Sequence, residues 1–183
     1  MEVRGSVIRG INAFVEYKHR EGYDEWKNAL TKESVNLLET ASNSSWYDVQ
    51  TGVIGPTEEM CKRFYKSPKE GAWESGRYSA KVGLTGIYKI FVLVATPAFM
   101  LKRASRVIAT YYRPTQLEVT DSSDKSMVIS FTELPIKNEL IEYRIAGWME
   151  QALEICGCKN WKLDIAKSIA KGDDSFIVDI KWD

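Results

Sequence analysis

The hydrophobic period of this chain changes once, near Tyr111, and that change limits its fold more than any other feature. Before it, apolar residues recur every three or four positions. Beyond it they alternate with polar ones, the spacing of strands with one wet face. Leu117 and Val119 alternate with Glu118 and Thr120; Ser122-Ser123-Asp124 offers a turn; Met127, Ile129 and Phe131 form a second alternating run. A helical stripe of Ile141, Ile145, Trp148, Ala152 and Ile155 follows. Two more alternating runs close the chain, one through Trp161, Leu163 and Ile165, the other through Phe176, Val178, Ile180 and Trp182. Runs joined this closely pair as antiparallel hairpins. The expected fold is α+β and a single domain over residues 1–183. A helical N-terminal part (1–110) packs on one face of a roughly four-stranded antiparallel sheet, built as hairpin–helix–hairpin (111–183).

Within the helical part, Gly5-Ser6 reads as an N-cap, and Val7, Ile11, Phe14 and Val15 as a stripe that stops before Gly22. Short helices capped by Asp24 and Thr31 come next, then a Ser42–Ser45 loop with Trp46-Tyr47 at its exit. Pro56 suits a first helical turn, and Met60, Cys61 and Phe64 form a buried face. From Glu70 to Ala95 the pattern is helical, with a break expected at Gly83 to Gly86; Ile90 to Ala95 reads as buried helix. Thr96-Pro97 opens a helix that runs through Ile108.

Twenty-five basic and 25 acidic residues leave a formal net charge of zero, which argues against a general nucleic-acid binder. The cluster Lys102, Arg103, Arg106 and Arg113 reads as a solvated helix face. No run resembles a signal peptide, and the longest apolar stretch, Ile87 to Leu101, is broken by Lys89 and Pro97, so no membrane span is expected. Three cysteines suit a reducing compartment, and the expected location is cytoplasmic.

Catalytic and metal signatures are missing. The single histidine, His19, sits among Lys18, Arg20 and Glu21 at an expected helix end. Cys156-Gly157-Cys158 has the wrong spacing for half a zinc site and reads as a small apolar residue followed by a helix C-cap. Glu58-Glu59 suits a helix first turn, whereas Asp121, Asp124 and Asp173-Asp174 suit hairpin turns. Gly83 to Gly86 lacks the lysine of a phosphate loop. No catalytic residue, no metal and no cofactor is therefore assigned, and the chain is not expected to be an enzyme.

The aromatics are more informative. Six Trp and nine Tyr include several that lie near glycines in the helical part. Glycines beside rings either let helices approach closely or leave room for a small ligand. Arg77 stands out in a largely apolar, aromatic-rich helix, where it either meets an anionic group or reaches solvent. A ligand pocket would use Arg77, Tyr88, Phe91, Ile145 and Trp148: the guanidinium orients an anionic head and the rings supply burial.

The order of elements resembles the superfamily of haem nitric-oxide/oxygen-binding (H-NOX) domains, vinyl-reductase-type sensor domains and TRAPP transport subunits. The chain is more closely similar to a bacterial family of uncharacterised paralogues. That likeness rests on Arg4-Gly5-Ser6, Ser45-Trp46-Tyr47, Gly76-Arg77, Ala95-Thr96-Pro97, Ala146-Gly147-Trp148 and Cys156-Gly157, spread over nearly the whole chain. Haem-binding members carry a proximal histidine on the helix before the sheet, and Ala98 to Tyr112 has none. They also carry a Tyr-x-Ser-x-Arg motif, where this chain reads Ile129-Ser130-Phe131-Thr132-Glu133. Both departures speak against haem. The resemblance implies a non-enzymatic sensor or adaptor that binds a small apolar or lipid-like ligand and signals through a protein partner. The alternative is an assembly module, acting as a homodimer or through other protein contacts, with Trp46 and Tyr47 as its interface.

Overall fold

The computed structural model describes residues 1–84, 99 and 106–183. The C-terminal part has the anticipated layout. Strands β4 (Gln116–Ser122) and β5 (Ser126–Glu133) form one hairpin. The helix Glu139–Ile155, here α6, follows, and β6 (Lys162–Lys167) and β7 (Phe176–Lys181) form the second hairpin. The strand order is β4-β5-β7-β6, and every pairing is antiparallel. Met127, Ile129 and Phe131 lie opposite Ile180, Val178 and Phe176, and all six are at most 1 % exposed. Alternation has therefore delivered one dry face, which the helices cover.

Helix α6 joins that face to the helical part. Asn138 caps it, its side chain accepting the Leu140 N–H at 2.9 Å. Ile141, Ile145, Trp148 and Ala152 are buried along its stripe, and Ile155 is half-buried at its end. On its other side is α5 (Pro68–Leu84). The two backbones touch where Gly76 faces the Arg144 carbonyl and Gly147 faces the Trp73 carbonyl. A Cβ at either glycine would sit 2.1 Å and 2.2 Å, respectively, from that oxygen. The glycines beside aromatics here serve close helix approach.

Among the described residues the other α-helices are α1 (Gly5–Lys18), α2 (Tyr23–Asn28), α3 (Lys32–Thr40) and α4 (Gly55–Phe64), with a helical turn at 106–109 before the sheet. Thr31 caps α3 through the Ser34 N–H, as expected, but α1 and α2 have no side-chain cap: Arg4 and Gly22 stand at those positions. The break expected at Gly83 to Gly86, the buried helix at Ile90 to Ala95 and the Thr96-Pro97 helix start fall at or beyond the end of α5, and their residues from 85 to 98 lie outside the described residues.

One element departs from the sequence reading. Trp46-Tyr47 belongs to a strand, β2 (Trp46–Asp48), in a second sheet with β1 (Glu2–Arg4) and β3 (Tyr112–Arg113), order β2-β1-β3. The Trp46 ring is flanked by two guanidinium groups, Arg4 at 4.0 Å and Arg113 at 4.4 Å, and Arg113 also pairs with Glu2 at 2.6 Å. The Tyr47 hydroxyl accepts the Ser42 N–H at 2.8 Å. Both rings are half-buried within their own chain rather than presented as an exposed aromatic patch.

Candidate functional site

The apolar stripe of α6 and the glycine contact with α5 bury Ile145 and Trp148, 2 % and 6 % exposed. Beside them is a small recess of about 20 Å³, lined by Val7 and Ser79 from α1 and α5, by Ile108, Tyr111 and Tyr112, and by Arg144, Ile145 and Trp148. A groove of about 150 Å³ adjoins it and shares Val7, Ser79 and Tyr111; Gly10, Tyr78 and Gly83 complete much of its wall. Its walls are small: among the described residues a Cβ on Gly10 would meet only the Ser79 hydroxyl at 3.8 Å, and one on Gly83 only the Tyr111 hydroxyl at 3.6 Å. Recess and groove together form a largely apolar hollow between α1, α5 and α6.

Of the residues the sequence assigned to a pocket, Ile145 and Trp148 line this hollow. Tyr88 and Phe91 lie outside the described residues. Arg77 is elsewhere: it reaches across to α6, where it pairs with Glu150 and takes both oxygens of Glu154 at 2.8 Å. Its charge is met by two carboxylates at the half-exposed edge of the helix pair. The arginine that reaches the hollow is Arg144, which sequence reading passed over. It is 3 % exposed; its Nη1 donates to the Ser75 hydroxyl, and its Nη2 has no hydrogen-bond partner.

A wider cleft of about 330 Å³ opens between α4, the start of α5 and the start of α6. Two of its polar groups are already engaged: the Cys61 thiol donates to the Pro68 carbonyl at 3.5 Å, and the Ser67 hydroxyl accepts the Glu70 N–H at 3.2 Å. Burial pushes the Cys61 thiol up to about 11 and the Cys156 thiol up to about 12. Neither is a competent nucleophile near neutral pH. Among the described residues no group of three or more His, Cys, Asp or Glu could hold a metal ion. Asp173 and Asp174 are used structurally, accepting from the Ser168 N–H at 2.7 Å and from Lys167 at 3.1 Å.

The haem suggested by the resemblance does not fit these residues. The only histidine, His19, is at the far end of α1. Its ring stacks on Phe64 at 4.2 Å and its Nε2 is 3.0 Å from the Tyr65 hydroxyl. Where haem-binding relatives carry their propionate motif, Ile129 and Phe131 point into the core of β5. Burial, helped by the charge of Lys18, holds the His19 pKa below its ordinary 6.5. A proton that the unfolded chain accepts is thus resisted in the fold, so stability is full above about pH 6.5 and falls as the pH drops below it. The thermal midpoint of the native chain should therefore decline more between about pH 7.5 and pH 5.5 than that of His19→Gln. Parallel declines would show that the ring is not protected.

No protein-family model and no curated protein matches the chain by sequence. Solved structures do match. An H-NOX protein from S. oneidensis, in its Fe(II)NO ligation state, aligns with a TM-score of 0.75 over 98% of this chain and 99% of its own, at 9% identity. The Fe(II) unliganded H-NOX protein from K. algicida aligns at 0.71, over 98% and 96%, at 13% identity. A further structure, from work on haem distortion in the H-NOX family, aligns at 0.74 over 98% and 94%, at 13% identity. At such identities the likeness speaks for the fold alone, and the described residues of this chain have the H-NOX fold.

Proposed function

We propose that this protein is a ligand-binding sensor domain, not an enzyme, which takes a small, mostly apolar ligand without haem and works through a protein partner. The observation that carries this reading is the hollow between α1, α5 and α6, with Ile145 and Trp148 on its wall. A packed interior has few voids larger than a water molecule. The groove of about 150 Å³, with Gly10 and Gly83 in its wall and the exposed Val82 at its rim, has room for a ring-sized apolar body. The H-NOX protein from S. oneidensis is described in an Fe(II)NO ligation state; here the same architecture would be used with an organic ligand instead. Arg77 holds α5 to α6.

Benzene tests the reading because it needs only apolar room. It should raise the thermal midpoint of the native chain by mass action. Gly10→Leu, whose side chain would occupy the groove, should abolish that shift while leaving the fold intact. No shift in the native chain, or an equal one in Gly10→Leu, would refute the hollow as a binding site.

A further inference from the structure

Arg144 and the charge pattern around it say more about the ligand. Two residues of opposite sign are buried on α6, and the fold treats them differently. Glu142, 1 % exposed, accepts the Ser168 hydroxyl at 2.5 Å and the Ala170 N–H at 3.0 Å, so both its oxygens are satisfied. Arg144 lies against the Ser75 hydroxyl and the Tyr112 phenol, both neutral, and no ion pair reaches it among the described residues. Its Nη2 is left with no acceptor. A buried guanidinium without a counter-charge is costly.

The chain supplies no carboxylate from the neighbouring sequence. From Ser75 to Leu117 no residue is acidic, whereas seven are Lys or Arg. That span includes the second half of α5, Ile108, Tyr111 and Tyr112, all of which contribute to the wall around Arg144. The recess beside Arg144, about 20 Å³, admits about one water-sized group, the end of a ligand rather than its body. The adjoining groove takes the body.

We propose that the ligand is a small monocarboxylate with a body about the size of a benzene ring, its carboxylate on the free edge of Arg144. This deepens the functional reading above and rests on the hollow being a ligand site. A buried Nη2 without a partner and a hydroxyl-bound Nη1 leave the guanidinium short of the planar, charge-assisted bonds it makes best. A carboxylate supplies them where no residue of the chain does.

The experiment compares benzoate with its neutral counterpart benzyl alcohol, by NMR titration of the full chain and of Arg144→Met. In the native chain benzoate should bind about tenfold to a hundredfold more tightly, the worth of a hydrogen bond to a charged group. In Arg144→Met the preference should vanish while benzyl alcohol binds as before, and the thermal midpoint should hold or rise, since a stranded charge is removed. The native-chain comparison needs no variant and decides the matter if Arg144→Met does not fold. Equal affinity for the two probes overturns the carboxylate assignment and leaves the hollow as a neutral apolar site. Binding of neither probe, with no benzene shift either, overturns both.

Discussion

Gly147→Ala is expected to destabilise the protein by about 3 kcal/mol, although adding a methyl group in mid-helix normally stabilises by about 1 kcal/mol. The added Cβ would lie 2.2 Å from the Trp73 carbonyl oxygen and 3.0 Å from its Cα, both backbone atoms of the facing helix. Backbone cannot rotate away as a side-chain tip can, so α5 and α6 must separate. Separation loosens Ser75 from Arg144, Trp73 from Glu150, and Arg77 from Glu150 and Glu154 together. Gly10→Ala is the matched control: among the described residues its Cβ meets only the Ser79 hydroxyl at 3.8 Å, and it should gain the usual helical stabilisation. Thermal denaturation of the two variants should move the midpoint in opposite directions, down by roughly 6–12 °C for Gly147→Ala in a chain of this size. An unchanged midpoint in Gly147→Ala would mean that the helices do not touch there.

Trp148→Ala should cost about 3–5 kcal/mol, the usual loss when a buried indole becomes a void. Trp148 is 6 % exposed, joins the main core and lines the recess beside Arg144. The new void would merge with that recess, so free indole should bind the variant and restore part of the lost stability, which it cannot do in the native chain. Calorimetry with and without indole distinguishes the cases. A loss below about 1 kcal/mol would move Trp148 out of the core.

The sheet half was legible because its signal is local and repetitive. Each dry-face residue of β5 and β7 stands two positions from the next, and one turn joins each hairpin. The second sheet was not legible. β1 and β3 are three and two residues long, and Glu2 pairs with Arg113 across almost the whole helical part, so neither strand shows a period. The two arginines show the other limit. Arg77 and Arg144 both interrupt apolar helices, and sequence spacing does not say which finds carboxylates across the helix contact and which faces a hollow. Tertiary placement decided it: Glu150 and Glu154 stand at the edge of α6 toward Arg77. A usable signal for Arg144 was present, since it directly precedes Ile145 on the buried stripe while the span from Ser75 to Leu117 lacks acids. Ile145 and Trp148 were identified correctly as interior because a helical stripe of large apolar residues has few other fates.

Native mass spectrometry of the protein purified from its own host tests the central claim most directly, since one spectrum resolves bare chain, organic adduct and haem adduct. The account predicts one small organic molecule per chain, lost in Gly10→Leu and absent of iron. A haem mass, or a native chain that carries nothing and takes up neither benzene nor benzoate when they are added, would contradict it.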